Sequence, residues 1–211
     1  RVTARVHTKG DVIESVDFVN VASYHMHSDI NVDTSLGALT VDVSFGGAIY
    51  AQLDVAQIGL FVTPKHYGEI IAIGREIKWA LNDSEYAEHP TDSRLSGIYG
   101  TIVYEDLAPD TDGLKRQRNA TIFADGEVDR SPCGSGTCAR LATLVDKKQL
   151  KIGELLKHDS IVDSQFLGVA KAQVISDGHD AILPQVTGMA YKTGESVFTV
   201  DPRDPLTPGF V

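Results

Sequence analysis

A cysteine stands where a glycine-rich loop enters an apolar helical pattern. The run Cys133-Gly134-Ser135-Gly136-Thr137 follows a short apolar segment, which predicts a buried strand ending at Phe123. Backbone N–H groups at a helix N-terminus lack helical acceptors and carry positive partial charge, so they favour an anion. The same field favours a thiolate, and we expect a lowered pKa for the Cys133 thiol. The spacing therefore predicts a carboxylate or phosphate site beside a thiol that acts as base or nucleophile.

Other interpretations of this cysteine stay open. A cysteine at an ordinary helix start is often a small buried core residue. A thiol hydrolase would need a histidine beside Cys133, and the candidates are His158 and His179, which nothing in the sequence positions. The other cysteine, Cys138, lies further along the same helical pattern, and we expect it to pack in the core.

Composition indicates a globular protein that does not bind polyanions. Of the 211 residues 42% are hydrophobic, and the net charge is −10, from 19 Lys plus Arg against 29 Asp plus Glu. This balance argues against nucleic acid or an anionic membrane as a partner. No apolar run approaches the roughly 20 residues of a membrane span, and two cysteines are too few for a secreted disulfide framework. We therefore expect a cytoplasmic location.

One histidine pair is a candidate for metal binding. His25-Met26-His27 places two imidazoles on one face of a strand, but no third ligand lies near in sequence. Polar strand residues are the better interpretation, so the sequence predicts no metal.

Many short strands with two good helices predict an α+β domain. Lys9-Gly10-Asp11 is typical of a hairpin turn, and Gly46-Gly47 inside strand sequence indicates a bulge, a close backbone approach or a plain hairpin turn. Thr63-Pro64 begins a helix that Asn82-Asp83 ends. Residues 106–118 predict a polar loop, and strand-like runs follow at 150–156, 160–175 and 181–186.

A longer motif around the cysteine points to a known family. The stretch Asp129-Arg-Ser-Pro-Cys-Gly-Ser-Gly-Thr137 resembles the second cysteine motif of the proline racemase family, which includes proline racemases, 4-hydroxyproline 2-epimerases and trans-3-hydroxyproline dehydratases. Residues 41–51, 97–101 and 204–210 also resemble this family. The similarity runs through nearly the whole chain.

The resemblance implies a diaminopimelate-epimerase-like fold of two similar lobes. Each lobe would be a curved β layer wrapped around a central helix, with the active site between the lobes. On this basis residues 1–22 would be a hairpin that ends the first lobe, residues 23–188 the second lobe, and residues 189–211 the return strands to the first. The two-lobe fold would then be incomplete in this sequence.

The resemblance also implies a reaction and its residues. The family inverts the α-carbon of proline or 4-hydroxyproline with two cysteines and no cofactor, and Cys133 would be one of these acid/base groups. Gly134, Ser135 and Thr137 would hold the substrate carboxylate. Asp129 would contact the ring nitrogen and Phe123 the pyrrolidine ring, although a turn residue and a core residue are the alternatives for these two.

Three departures bear on this expectation. Dehydratase members carry Thr at the position of Cys133, so the cysteine favours a racemase or epimerase. Family members often have Gly where this chain has Asp163. The Met-Cys-Gly-His type motif of the first lobe does not occur in this sequence. A non-catalytic truncated paralogue or isoform that at most binds an imino-acid carboxylate is therefore the alternative, and we expect no racemisation by these residues alone. The sequence leaves a homodimer open.

Overall fold

The computed structural model describes residues 1–207 and 209. Within them the chain forms one mixed α+β fold, with a large sheet and two α-helices. The helices are α1 (Tyr67–Leu81) and α2 (Gly134–Asp146). The strands are β1 (Thr3–Lys9), β2 (Val12–Val19), β3 (Ser23–Thr34), β4 (Gly37–Phe45), β5 (Ile49–Asp54), β6 (Ile98–Leu107), β7 (Lys115–Phe123), β8 (Glu127–Val128), β9 (Leu155–Ser160), β10 (Gln165–Ser176) and β11 (His179–Gly188).

The sheet closes on itself. Its order is β1-β2-β11-β10-β9-β7-β6-β5-β4-β3, and β3 also pairs with β11 through Tyr24↔Ala181 and Ser23↔Ile182. The strands from β3 to β11 therefore form a ring, and the β1–β2 hairpin extends from β11. These two residue pairs cover the first part of the β3 edge, which would otherwise be exposed.

The two helices lie on opposite faces of the sheet for a topological reason. α1 connects the parallel pair β5 and β6, and α2 connects the parallel pair β7 and β9, whereas β6 and β7 are antiparallel. The two crossovers move in the same lateral direction on strands that run oppositely, so right-handed connections place their helices on opposite faces. α2 contacts β3, β4, β5, β10 and β11, and it is therefore enclosed by the ring.

Strand alternation divides the side chains between the two helices. Val41 and Val43 of β4 pack in the same core cluster as Ile73 of α1. Ser44, the residue after Val43, points the other way, and its Oγ lies 2.7 Å from Thr143 Oγ1 of α2. Fully burying an isoleucine or valine contributes about 1.5–3 kcal/mol each. The α1 side of the sheet is thus an apolar core, and the α2 side is mixed.

Most elements agree with the sequence predictions. The hairpin turn at Lys9-Gly10-Asp11 is confirmed, and Asp177-Gly178 forms the turn between β10 and β11. The helix begins with a 3-10 turn, Pro64–His66, before α1. The predicted polar loop was too long, because β6 continues to Leu107 and β7 begins at Lys115.

The strand after α2 was predicted too early. Residues 151–154 turn, and β9 occupies Leu155–Ser160, where it pairs with both β7 and β10. The run 160–175 is interrupted before β10 by a turn in which Asp163 has φ 64°. This left-handed conformation favours glycine but tolerates aspartate, and Asp163 also forms an ion pair with Arg118.

The C-terminal segment contains no strand in residues 189–207. A strand needs a hydrogen-bonded neighbour, and Tyr191, Val197 and Phe198 are largely exposed here. The assignment of residues 189–211 as return strands to a first lobe stays a prediction. Pro208 and Phe210 of the 204–210 motif, and the last residue Val211, lie outside the described residues.

Candidate active site

Cys133 is the residue that precedes α2, and its side chain caps the helix. Its Sγ accepts a hydrogen bond from the Gly136 N–H at 3.3 Å, and its own N–H donates to Ser131 Oγ at 3.1 Å. The backbone of Cys133 has φ 63° and ψ 121°, a conformation that L-residues rarely adopt. Such strain is held by surrounding structure and is concentrated at functional sites.

Two hydroxyl groups adjoin this thiol. Tyr50 of β5 places its hydroxyl 3.6 Å from Cys133 Sγ and 2.7 Å from Ser135 Oγ. Ser135 Oγ lies 4.0 Å from the same sulfur. Tyr50 is fully buried and Cys133 is 8% exposed. The sulfur therefore lies in a nearly closed polar cluster just inside the protein surface.

The expectation of a lowered thiol pKa is wrong for this structure. Burial raises the pKa of Cys133, and the nearby Asp129 carboxylate raises it further. Hydrogen bonds from Tyr50 and the Gly136 N–H act in the opposite direction without overcoming burial. Cys133 thus holds its proton more firmly than an exposed cysteine does.

An apolar cleft of about 500 Å³ lies beside the N-terminus of α2. Gly134 and Ser135 supply its helical wall. The other walls come from β2, β10, β11 and the segment after β11, through Val16, Phe18, Phe166, Val186, Gly188, Met189 and Ala190. The first N–H groups of a helix have no helical acceptor, so the cleft combines apolar walls with a local preference for an anion.

Asp129 and Phe123 belong to the segment that leads into the cysteine loop. Asp129 Oδ1 accepts a hydrogen bond from the Ser131 N–H at 2.8 Å, so this carboxylate supports the loop that delivers Cys133. Phe123 is partly buried and stacks on Tyr99, with ring centroids 6.0 Å apart and an interplanar angle of 2°. Tyr99 in turn meets the edge of Tyr50 at 5.6 Å. An aromatic row thus leads from Phe123 to the hydroxyl beside the thiol.

Thr137 lies away from this group. Its side chain is fully buried, and its Oγ1 donates to the Pro132 carbonyl at 3.1 Å and lies 2.8 Å from His158 Nδ1. Its backbone N–H donates to the Cys133 carbonyl. The structure therefore brings Cys133, Gly134 and Ser135 together and turns the Thr137 hydroxyl into the interior.

Neither candidate histidine of the hydrolase hypothesis contacts the thiol. His158 is fully buried and bonds to Thr137 and Asn119. Burial lowers the pKa of His158 to about 3, so it stays neutral. His179 stacks on Tyr24 with ring centroids 4.7 Å apart. Neither histidine therefore forms a thiol–imidazole pair with Cys133.

The histidine pair of β3 has other contacts. His25 Nδ1 lies 2.7 Å from Asp146 Oδ2, and the His27 ring meets the edge of Tyr86. Across residues 1–207 and 209, no group of three or more His, Cys, Asp and Glu side chains could hold a metal ion. In the same part of the chain, no helix is long and apolar enough to cross a membrane.

Sequence reasoning missed Tyr50 and the aromatic walls of the cleft. Ile49 and Ala51 of β5 face the α1 core. Because side chains alternate along a strand, the sequence could have predicted that Tyr50 points to the opposite side of the sheet. Its partner at the thiol lies 83 positions away in sequence. Phe18 and Phe166 come from separate strands, and no local pattern joins them.

The chain is similar to known proteins along its whole length. Residues 1–211 match the family described as proline racemase. The chain is 41% identical over 210 residues to a trans-3-hydroxy-L-proline dehydratase of Bacillus thuringiensis subsp. konkukian, covering all of this chain and 62% of that protein. It is 40% identical over 211 residues to a 3-hydroxyproline 2-epimerase of Burkholderia multivorans, with the same coverage of 100% and 62%.

A solved structure gives the same result for the fold. A hydroxyproline epimerase from Agrobacterium vitis, with bound trans-4-OH-L-proline, superposes with a TM-score of 0.84 at 32% identity. The match covers 100% of this chain and 59% of that one. The chain therefore spans about three fifths of the length of the relatives that it matches.

Proposed function

Because the chain belongs to the proline racemase family, we propose that it is one catalytic lobe of a cofactor-independent racemase or epimerase acting on proline or 4-hydroxyproline. The observation that carries this proposal is the Cys133 thiol, which caps α2 next to an apolar cleft walled by Gly134 and Ser135. A five-membered imino acid has an anionic carboxylate and an apolar ring, and the helix N-terminus and the cleft complement these two parts.

The reaction needs one proton to leave the α-carbon and another to arrive on the opposite face. A thiolate on one face takes the Cα proton, and the electron pair of the broken C–H bond moves into the carboxylate. Backbone N–H groups at Gly134 and Ser135 would stabilise the charge that develops there. A thiol on the other face then gives its proton to Cα, which completes inversion.

Cys133 suits the donor half of this cycle in the unbound state. Burial raises its pKa, so it holds the proton that the second step consumes. In the opposite direction Cys133 acts as the base. The pair needs one thiol and one thiolate at any moment, and a group that strongly preferred the thiolate would serve one direction only.

Three further residues have proposed roles. Asp129 pairs with the secondary ammonium of the substrate, in addition to supporting the cysteine loop. Phe123 offers an apolar surface to the ring as part of the aromatic row with Tyr99. Thr137 would act indirectly, because its hydroxyl donates to the Pro132 carbonyl and its N–H to the Cys133 carbonyl, and both bonds hold the loop that carries Cys133.

The second thiol would come from a part of the protein beyond these residues. Both cysteines present belong to one helix and its cap, so they cannot face each other across a substrate. We retain the division into residues 1–22, 23–188 and 189–211 as a proposal, with the first and last segments joining another lobe. The exposed apolar side chains of residues 189–207 agree with such a partner surface.

A dehydratase is the second candidate. A relative at 41% identity is named trans-3-hydroxy-L-proline dehydratase, and its reaction class begins with the same loss of the Cα proton. Expulsion of a 3-hydroxyl group then replaces reprotonation on the second face. Elimination needs one basic group and inversion needs two. Cys133 stands where dehydratase members carry Thr, so the dehydratase ranks second.

Proton exchange at Cα tests the proposal directly. The chain is incubated in D₂O with L-proline, trans-4-hydroxy-L-proline or trans-3-hydroxy-L-proline, and the Cα–H NMR signal and optical rotation are followed together. We expect exchange without inversion for one of the first two substrates, abolished by Cys133→Ala and retained by Cys138→Ala. Loss of the hydroxyl from the third substrate would instead support the dehydratase.

The opposite results are equally informative. Exchange that survives Cys133→Ala overturns the role of this thiol. Exchange with inversion overturns the single-lobe proposal. If none of the three imino acids exchanges, the proposal of chemistry in this lobe is overturned, and the non-catalytic alternative takes its place.

A further inference from the structure

The hydroxyl of Tyr50 lies between a serine and the candidate catalytic thiol. It is 2.7 Å from Ser135 Oγ and 3.6 Å from Cys133 Sγ, and the tyrosine is fully buried. A phenol has one proton to donate and can also accept. The Tyr50 proton therefore serves one neighbour at a time, while its oxygen accepts from the other.

We propose that Tyr50 is a positioning residue for Cys133, and that its proton turns from Ser135 to the sulfur when the thiol ionises. The proposal rests on the acid–base function proposed above. With Cys133 as a thiol, Tyr50 donates to Ser135 Oγ and accepts from S–H. With Cys133 as a thiolate, Tyr50 donates to sulfur and Ser135 donates to Tyr50. One covalent bond, S–H, breaks, and its proton passes to the substrate carbanion or to water.

The surroundings of the thiol explain why such a donor matters. Burial opposes the thiolate, and the carboxylate of Asp129 opposes it as well. Cys138, on the same helix, and Tyr99, which lies behind Tyr50, are the other titratable neighbours of this cluster. The fixed donor is the Gly136 N–H at 3.3 Å. The Tyr50 hydroxyl is a second donor, and it can rotate toward the sulfur. A hydrogen bond to an ionised group is stronger than one to a neutral group, so this donor stabilises the thiolate more than the thiol and brings the two states closer in energy.

Burial also keeps Tyr50 in its neutral form. Desolvation raises the pKa of Tyr50, and the neighbouring Cys133 contributes in the same direction. The phenol therefore stays protonated at neutral pH. It can orient that proton but does not lose it, which distinguishes it from a catalytic acid.

The pH dependence of Cys133 alkylation tests the proposal without any turnover. The chain is treated with iodoacetamide from pH 6 upward in steps, and labelling at Cys133 is read by peptide mass. Losing one hydrogen bond to the thiolate corresponds to about one pKa unit. We expect Tyr50→Phe to move the midpoint upward by that amount, which slows labelling about tenfold at neutral pH.

A matched control separates this effect from general loosening. Tyr24 is also fully buried, and its hydroxyl lies 3.1 Å from His89 Nε2. Tyr24→Phe removes a comparable buried hydrogen bond whose partner is His89 and not the thiol or Ser135, so we expect an unchanged midpoint. A Tyr50→Phe midpoint that stays in place or moves downward overturns the proposal.

Ser135→Ala provides a second variant with a smaller expected effect. The hydrogen bond between Tyr50 and Ser135 is present in both protonation states of Cys133, so its loss affects both, and we expect the alkylation midpoint to move by less than in Tyr50→Phe. A shift in Ser135→Ala as large as that in Tyr50→Phe would mean that Ser135 acts on the sulfur directly and would overturn the proposal. These outcomes are independent of Cα exchange, so failure here leaves the proposed function standing, and failure of exchange leaves this measurement valid.

Discussion

Replacing Gly46 with alanine would place a Cβ atom where the backbone of α2 already lies. The added carbon would be 2.3 Å from the Ser135 carbonyl oxygen and 2.7 Å from the Ala139 nitrogen. Both obstacles are backbone atoms of an enclosed helix, so no side-chain rotation relieves them. Overpacking costs about 1–3 kcal/mol, occasionally more. Two backbone overlaps place Gly46→Ala near the upper end, at about 3 kcal/mol.

Urea denaturation measures this cost. A loss of about 3 kcal/mol lowers the urea midpoint by roughly 1–3 M, for slopes of about 1–3 kcal/mol per M. Gly68→Ala in α1 is the matched control, because its Cβ would meet nothing within 4 Å. We expect that variant to gain about 0.5–1 kcal/mol from its higher helix propensity. If Gly46→Ala unfolds within about 0.5 kcal/mol of the parent, the close contact between the β4–β5 turn and α2 does not exist as described.

Three further outcomes are expected. Arg140→Met leaves two buried glutamine oxygens without their donor, and an unsatisfied buried acceptor costs about 1–3 kcal/mol, so urea denaturation should show a clear loss despite the preserved volume. Iodoacetamide should label Cys133 before Cys138, whose pKa burial raises to about 12; equal rates in the folded chain would contradict the burial. Burial holds the pKa of His158 at about 3 in the folded chain, whereas an exposed imidazole has a pKa of 6.5. Between pH 3 and pH 6.5 the unfolded chain therefore binds one proton more than the folded chain. Stability should therefore fall as pH drops below 6.5, by up to about 1.4 kcal/mol per unit, and His158→Gln should flatten that slope in urea titrations at stepped pH.

The sequence predicted what depends on neighbours in the chain. The turn at Lys9-Gly10-Asp11, the helix that follows Pro64 and the helix start at Cys133 all use local signals of glycine, proline and apolar period. The paired glycines at Gly46-Gly47 also indicated a close backbone approach, which the contact of Gly46 with α2 confirms.

The features that the sequence could not predict depend on burial and on strand pairing between distant segments. The helix-dipole argument gave Cys133 a lowered pKa, yet the closed ring removes water from the sulfur and the pKa rises. The start of β9 was misplaced because residues 150–156 are apolar enough for a strand, whereas pairing with both β7 and β10 selects residues 155–160. Burial and pairing of this kind are set by strands that are far apart in sequence.

The enclosed helix needs a polar inner surface to hold one position. Arg140 lies at the middle of α2, fully buried, and donates to Gln117 Oε1 and Gln52 Oε1, each at 2.9 Å. Its guanidinium also lies 3.5 Å above the Tyr104 ring. An apolar helix inside an apolar ring could rotate or slide at little cost, but shifting α2 would leave a cation and two amides unsatisfied. The planar, directional donors of arginine thus fix the rotation of α2, and with it the position of Cys133 at the helix end.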